Sequence, residues 1–378
     1  MIASDRRSNI QSARMYGIDQ PRTIVGAIVV AVAVVFIVGG LSAALRVQAA
    51  RPSCNIVGVE RIVAVGDVHG AYDRFVEILQ TAGILDSRLR WSGGKTHLVQ
   101  LGDVVDRGPD SRKALDLLNR LRDDAEHAGG AVHQLLGNQE VMRMLGDLRF
   151  VSSGEYQAFA TPQAEITRAR FVAEAKADAR DQLMKSTPLG FVEMRVAFGR
   201  QGEYGHWLRK LDVVVKINGV IFLHGGISPA VAPLSCDAIN KTAQAELGGD
   251  LDKTRAAPLS SLVAREDGPL WYRGLAQQPD TFAPQVDEIL STQNAKTMVI
   301  AHTVVPAGRI LTRFGGKVIQ IDTGMQPAYV PTGQASALEI RNGVFTAIYQ
   351  DRREVLLGAP TETPKVDRHE VGAGGRPN

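Results

Sequence analysis

Two aspartates, three histidines and an asparagine, each placed at the end of a short apolar run, are the side chains in this sequence best suited to holding divalent ions. Ile62-Val63-Ala64-Val65 leads into Gly66-Asp67-Val68-His69-Gly70, and Leu98-Val99-Gln100-Leu101 into Gly102-Asp103-Val104-Val105-Asp106-Arg107-Gly108. Val132-His133-Gln134-Leu135-Leu136 leads into Gly137-Asn138-Gln139-Glu140, Val220 to Leu223 into His224, and Thr297 to Ala301 into His302. Taken singly these are weak signals, because an aspartate after a strand commonly caps a helix and a histidine there commonly makes a surface hydrogen bond. The set carries the argument. Carboxylate, imidazole and carboxamide delivered to converging loops suit a pair of borderline-hard ions.

The apolar runs have strand length and β-branched content, and each ends at or beside a turn signal. Ala71 to Gly83 and Ser111 to Ala128 read as amphipathic helices between the strands, so this part alternates strand, helix and strand. Leu89-Arg90-Trp91 and His97 to Leu101 are expected to form a hairpin across Ser92-Gly93-Gly94-Lys95. Asn218-Gly219 between Val213–Ile217 and Val220–Leu223 is a strong hairpin signal, and Ala337 to Tyr349 carries two more strands around Asn342-Gly343. Lys317 to Ile321 is a strand ending at Asp322. Residues 155–211 are rich in Ala, Arg and Glu and read as a helical insertion.

Residues 1–23 form a polar, arginine-bearing tail. Residues 24–45 carry no charge and are almost wholly apolar, long enough to cross a bilayer as one transmembrane helix. The arginines before this span favour a cytoplasmic N-terminus and an extracytoplasmic catalytic domain, periplasmic if the source is bacterial. The alternative is secretion after signal cleavage near Ala49. A linker spans 46–57, the catalytic domain 58–357, and a Pro-, Gly- and charge-rich tail 358–378, expected to be disordered. A composition 44% hydrophobic and 22% charged is that of a globular protein with an ample core. A net charge of +3, with no dense basic patch, gives no reason to expect a nucleic-acid partner. Cys54 and Cys236 lack zinc-site spacing and are expected as free thiols; a single disulfide is the alternative and needs an oxidising compartment.

As an ordered set, Gly66–Gly70, Gly102–Gly108, Gly137–Glu140, His224-Gly225-Gly226 and Ala301-His302-Thr303 resemble the signature of the calcineurin-like metallophosphoesterases. Within them the chain is similar to the phosphoprotein phosphatase branch, and Leu270-Trp271-Tyr272-Arg273-Gly274 and Asp322-Thr323-Gly324-Met325 resemble its Shewanella-like, bacterial-type members. The resemblance covers about residues 58–350. It implies an α/β fold, a β-sandwich flanked by helices, and two divalent ions, manganese or iron and zinc. One ion would sit on Asp67, His69 and Asp103, the other on Asp103, Asn138, His224 and His302, with an Asp103 oxygen shared between them. A water bridging the ions would be the nucleophile, and Arg107 the phosphate-binding arginine, with Arg273 a second candidate. The implied substrate is a phosphorylated protein or a small phosphomonoester. Asp322 could brace a histidine ligand or cap the next turn.

One position departs from the family. Gln139 stands where the resemblance places a histidine that, paired with Asp106, protonates the leaving oxygen. Glutamine keeps an N–H but cannot yield a proton at neutral pH. Three outcomes are open: a slow enzyme, a phosphate-binding pseudophosphatase, or another proton source, for which His206 is a candidate while His133 reads as structural. A phenolate leaves with a pKa of about 10, far below an alkoxide, so aryl phosphates such as phosphotyrosine should suffer least. The Shewanella-like branch is associated with phosphotyrosine activity. A nucleotide or dinucleoside polyphosphate hydrolase is the competing enzyme reading, with Trp207, Trp271 and Tyr272 as the aromatics available to stack a base.

Overall fold

The structure is a computed structural model that describes residues 54–358. The segments 1–23 and 24–45, most of the linker 46–57 and all but the first residue of 358–378 lie outside the described residues. Among the described residues no helix is long and apolar enough to cross a membrane.

Strand alternation builds the core. In β2 (Arg61–Val65), Ile62 and Ala64 point one way and Val63 and Val65 the other, as a period of two requires. Ile62 and Ala64 join a buried cluster with Val215, Phe222, Val299 and Ile319, which closes the space between two sheets. Val63 and Val65 join a second cluster with Phe75 and Ile78 of helix α1 (Tyr72–Thr81) and Leu115 and Leu118 of helix α2 (Ser111–His127). Each such side chain, fully buried, contributes about 1.5–3 kcal/mol relative to exposure. The result is a β-sandwich with helices outside it.

The first sheet runs β1 (Asn55–Ile56), β5 (Val214–Ile217), β6 (Val220–Leu223), β7 (Thr297–Ile300), β9 (Val318–Gln320), β8 (Leu311–Arg313). The second runs β12 (Arg353–Leu357), β11 (Val344–Tyr349), β10 (Ser336–Arg341), β2, β3 (His97–Gln100), β4 (Ala131–Gln134). Strands β2, β3 and β4 are mutually parallel, and so are β6, β7 and β9. Parallel neighbours end at the same edge, where loops gather to form sites in open α/β sheets. Thus the loops after β2, β3 and β4 emerge together, as do those after β6, β7 and β9.

The hairpin at Asn218-Gly219 forms, with φ of 52° and 79° at the two turn residues. The one across Ser92–Lys95 does not. Both edges of β3 are taken by β2 and β4, so Trp91 makes an isolated bridge with Leu85 and donates its indole N–H to Gly94 O at 3.0 Å. Helix α3 (Asn138–Leu145) follows β4 directly, and the insertion after it folds into α4 (Ser153–Phe159), α5 (Ala164–Ala173), α6 (Arg180–Ser186), α7 (Phe191–Ala197) and α8 (Glu203–Leu208).

Cys54 and Cys236, expected as free thiols, form a disulfide that spans 182 residues, with their Cα atoms 6.2 Å apart. Cys236 opens helix α9 (Cys236–Gly248), and the Cys54 N–H donates to Asp237 Oδ1 at 3.0 Å, holding the two ends in register. Nothing in the spacing of two cysteines so far apart could disclose this proximity; the parallel pairing of β1 with β5 creates it.

Candidate dimetal centre

Left-handed backbone is concentrated at the strand-end residues: φ is 48° at His69, 53° at Asp103, 73° at Asp106, 69° at Arg107 and 64° at His302. Such conformations cost about 1–3 kcal/mol each and persist where surrounding bonds over-determine them. Glu140, buried in the first turn of α3, supplies several of those bonds. It accepts the backbone N–H groups of Gly137 at 2.9 Å, Asp103 at 2.9 Å and Val104 at 2.8 Å, stapling the loop after β3 to the loop after β4. Burial, then the nearby Asp103 charge, pushes the Glu140 carboxyl up to about 7. The two loops lie so close that any Cβ at position 137 would overlap the Asp103 carboxylate, and glycine answers this need.

The histidine rings are oriented by the backbone. His69 Nδ1 lies 3.0 Å from the Val105 carbonyl oxygen, and His224 Nδ1 lies 2.8 Å from that of Leu101. A carbonyl only accepts, so each Nδ1 carries the proton and each Nε2 presents its lone pair, the arrangement that metal-ligating histidines use. His69 Nε2 is 3.6 Å from Asp67 Oδ2 and 3.7 Å from Asp103 Oδ2. His224 Nε2 is 3.3 Å from Asp103 Oδ1 and 2.9 Å from Asn138 Oδ1. Two buried clusters result, Asp67–His69–Asp103 and Asp103–His224–His302, each with its ligand atoms within 4.8 Å of one another.

Asp103 stands between the two clusters, its Oδ2 facing His69 and its Oδ1 facing His224. The Gln139 backbone N–H, donating to Asp103 Oδ1 at 2.9 Å, fixes this rotation. Two features mark the donor set as a cation site. The neutral His224 Nε2 and Asn138 Oδ1 are both acceptors, yet they face each other at 2.9 Å, which calls for a cation or an extra proton between them. His302 Nε2 is buried without a hydrogen-bond partner among the described residues. Oxygen and imidazole donors together fit two divalent ions.

Once a chelator removes divalent ions, protons take that place. Burial opposes a charge on either ring, but the Asp67 and Asp103 carboxylates raise His69 to about 10 and His224 to about 9. An imidazole raised in the fold contributes stability below its unfolded value of about 6.5 and loses it as pH climbs through the folded value. Chelator-stripped protein is therefore expected to melt at progressively lower temperature from pH 6.5 to about 10. Divalent ions compete with these protons and should hold Tm up across the same window. Scanning calorimetry with and without chelator tests this, and a chelated Tm that stays flat or rises there contradicts it.

The two arginines expected to bind phosphate are positioned differently from one another. The Arg107 guanidinium lies between two rings, 4.2 Å from the Phe150 centroid and 3.8 Å from that of Tyr329, which fixes its plane. The Tyr329 ring also meets His69 edge-on at 5.6 Å, and the residue as a whole is 41% exposed. Arg273 is exposed, and its Nη1 donates to His302 O at 2.9 Å and Thr303 Oγ1 at 3.0 Å, so it borders the second cluster. Among the described residues Asp322 makes no hydrogen bond to a histidine. It accepts the Gly324 N–H at 3.0 Å, capping the turn, and burial followed by the Asp67 charge raises its carboxyl well above the usual range. His206 is exposed and pairs with Lys210 at 2.7 Å, while His133 pairs with His97 at 3.0 Å within the sheet.

The partner of Asp106 is a residue that the motifs do not contain. Arg143 Nη2 donates to Asp106 Oδ1 and lies 2.7 Å from Glu155 Oε2, and all three side chains are buried. Its guanidinium also lies 4.8 Å from the Phe198 ring centroid. Burial, partly offset by Arg143, raises the Asp106 carboxyl to about 6. Gln139 is buried beside this group with its Oε1 unpartnered among the described residues. Arg143 stands one helical turn after Gln139 on α3, so the i, i+4 spacing was the available signal. Glu155 lies in the first turn of α4, behind its Ser152 cap, which ties the insertion to the Asp106–Arg107 loop.

A profile of the calcineurin-like phosphoesterase family matches residues 60–306. The chain is 30% identical over 302 residues to Shewanella-like protein phosphatase 2 of Arabidopsis thaliana, spanning 75% of each. Over 275 residues it is 26% identical to Shewanella-like protein phosphatase 1 of Plasmodium berghei, spanning 72% of this chain and 68% of that one. Its fold is similar to the cold-active protein-tyrosine phosphatase of a psychrophilic Shewanella species, with a TM-score of 0.64 and 30% identity across 80% of this chain and 82% of that one.

Proposed function

Since the chain belongs to the calcineurin-like phosphoesterases and is a hydrolase of phosphoesters, we propose that it is a dimetal phosphomonoesterase favouring aryl phosphates, phosphotyrosine in proteins among them. The observation that carries the aryl preference is the leaving-group side of the site. Gln139 cannot yield a proton, and Asp106 is bonded to Arg143. A leaving oxygen must then depart as an anion. Phenolates tolerate this, with a conjugate acid of about 10, while alkoxides resemble hydroxide at about 15.7. The likeness to a protein-tyrosine phosphatase leans the same way.

When bound, two divalent ions supply a deprotonated water at neutral pH and draw electron density from phosphoryl oxygens; manganese is the proposed pair, iron and zinc the alternative. Asp67, His69, Asp103, Asn138, His224 and His302 are the proposed ligands. Arg107 grips two phosphate oxygens with its planar fork, held in plane by Phe150 and Tyr329, which a lysine could not match. Arg273 adds a second positive charge at the rim. Tyr329, an exposed residue beside Arg107 and His69, is the aromatic side chain proposed to meet a substrate's ring.

We place the catalytic domain outside the cytoplasm. The apolar stretch 24–45 supports an anchor, with secretion after cleavage near Ala49 as the alternative, and the Cys54–Cys236 disulfide favours an oxidising compartment. The substrate proposal is tested by comparing an aryl with an alkyl phosphomonoester under manganese. The expected kcat/KM ratio is about 10²-fold or more in favour of the aryl ester, in line with lost general-acid help costing roughly 10²–10⁴-fold. Equal rates would sink the proposal.

A further inference from the structure

Strands β2 and β3 run parallel, and where they end the Leu101 N–H donates to Val65 O at 3.0 Å. Backbone bonding between the two chains resumes at the turns, where Val68 N–H and His69 N–H donate to Asp103 O at 3.0 and 2.9 Å. Between these bonds lie Gly66 and Gly102, the residues directly before Asp67 and Asp103. Gly102 has a φ of 88°, so regular strand geometry has stopped there. The Gln100 carboxamide fills the gap. Its Nε2 donates to Gly66 O at 3.2 Å and to Gly102 O at 2.7 Å, and its Oε1 accepts the Gly102 N–H at 3.1 Å. The residue is 0% exposed, so these bonds are shielded from water. Two donors and an acceptor on one neutral group are what a carboxamide supplies.

Asp67 and Asp103 both approach His69, at 3.6 and 3.7 Å from its Nε2. Two carboxylates so near one another repel, and the repulsion favours splayed loops until cations arrive. We infer that Gln100 is a positioning residue for the metal pair. It ties the loop of Asp67 to the loop of Asp103 and keeps the two carboxylates at the spacing that one ion needs. The inference rests on the dimetal reading above and adds to it a residue that touches neither ion nor substrate. Removing a partner that orients metal ligands typically costs about 10–100-fold in affinity. The tie joins two ligands of the Asp67–His69–Asp103 cluster, so the ion there loses more than the ion of the Asp103–His224–His302 cluster.

The test is Mn²⁺ uptake by the chelator-stripped full chain, followed by electron paramagnetic resonance, with thermal melts to report folding. Wild-type protein is expected to take up two ions. Gln100→Met keeps the bulk without the bonds, and is expected to weaken one ion about tenfold or more, leaving a one-ion species at intermediate Mn²⁺. Gln100→Glu is the milder variant. A buried acid stays protonated and carries one proton, enough for one carbonyl but not both, so a smaller loss is expected. Gln293→Met is the control. Its Nε2 also donates to two carbonyls, Ala232 O at 2.6 Å and Leu234 O at 2.9 Å, in a loop without proposed ligands. It is expected to lower the melting temperature while both ions bind as in wild type. Fewer than two ions on wild-type protein refutes the dimetal reading, and the inference with it. With two ions on wild type, the inference alone is overturned if both Gln100 variants bind as wild type does, if the two ions weaken equally, or if Gln293→Met weakens them as much. It is also overturned if neither Gln100 variant folds, Gln100 then serving the fold as a whole.

Discussion

Arg143→Met is expected to lower the unfolding free energy by about 3–5 kcal/mol at pH 8, the cost of removing one partner from a buried ion pair. Arg143 is 1% exposed and faces the Asp106 and Glu155 carboxylates, which are themselves buried. Without the guanidinium, two negative charges are left in a space that water does not reach, beside the Phe198 ring. The penalty should shrink with acidification. Asp106 is already raised to about 6 in the fold, so lowering the pH protonates it and removes one of the orphaned charges. Denaturant titrations at pH 8 and pH 5 test both parts. A loss below about 1 kcal/mol at pH 8 contradicts the reading, since surface pairs are worth that little.

The gain from restoring a histidine at position 139 is expected to depend on that same arginine. With Arg143 in place, the Asp106 charge is spent on the guanidinium, and a ring at 139 gains little help in holding a proton. Gln139→His alone should then raise alkyl-phosphate turnover by less than tenfold. In an Arg143→Gln, Glu155→Gln background, which frees Asp106 without leaving Glu155 charged, the same change should raise it roughly 10²–10⁴-fold, the usual worth of a positioned general acid. Residues sharing one hydrogen-bond network couple in this way, and a mutant cycle measures the coupling. An equal gain in both backgrounds would show that Asp106 is available regardless of Arg143.

The strands and the candidate metal-binding residues at their ends were legible because strand ends carry their own punctuation. The sandwich, and the pairing of those residues into two sites, came from the family resemblance. Apolar runs of period two, closed by Gly66, Gly102, Gly137 and the turn at Asn218-Gly219, locate strands without any knowledge of their neighbours. What local pattern could not supply is which strand pairs with which. Trp91 and His97 looked like the two arms of a hairpin, but β3 was claimed on both sides by parallel partners far along the chain. The short strands β8 and β12 were missed for a related reason, their charged residues giving little apolar signal before pairing. Within the site, Glu140 lay inside a motif, whereas Arg143, Glu155 and Tyr329 act through contacts made only in three dimensions. The disulfide belongs with them.

That disulfide also alters how the domain would respond to a pull on its leading end. Strand β1 has two residues and sits at the margin of its sheet, so tension arriving through the segment before it could unzip it with little resistance. The Cys54–Cys236 bond meets the load first and passes it to the head of α9, bypassing the hydrogen bonds of β1. An enzyme moored to a membrane by its front would then transmit shear into a covalent strut, sparing the strands that carry Asp67 and Asp103.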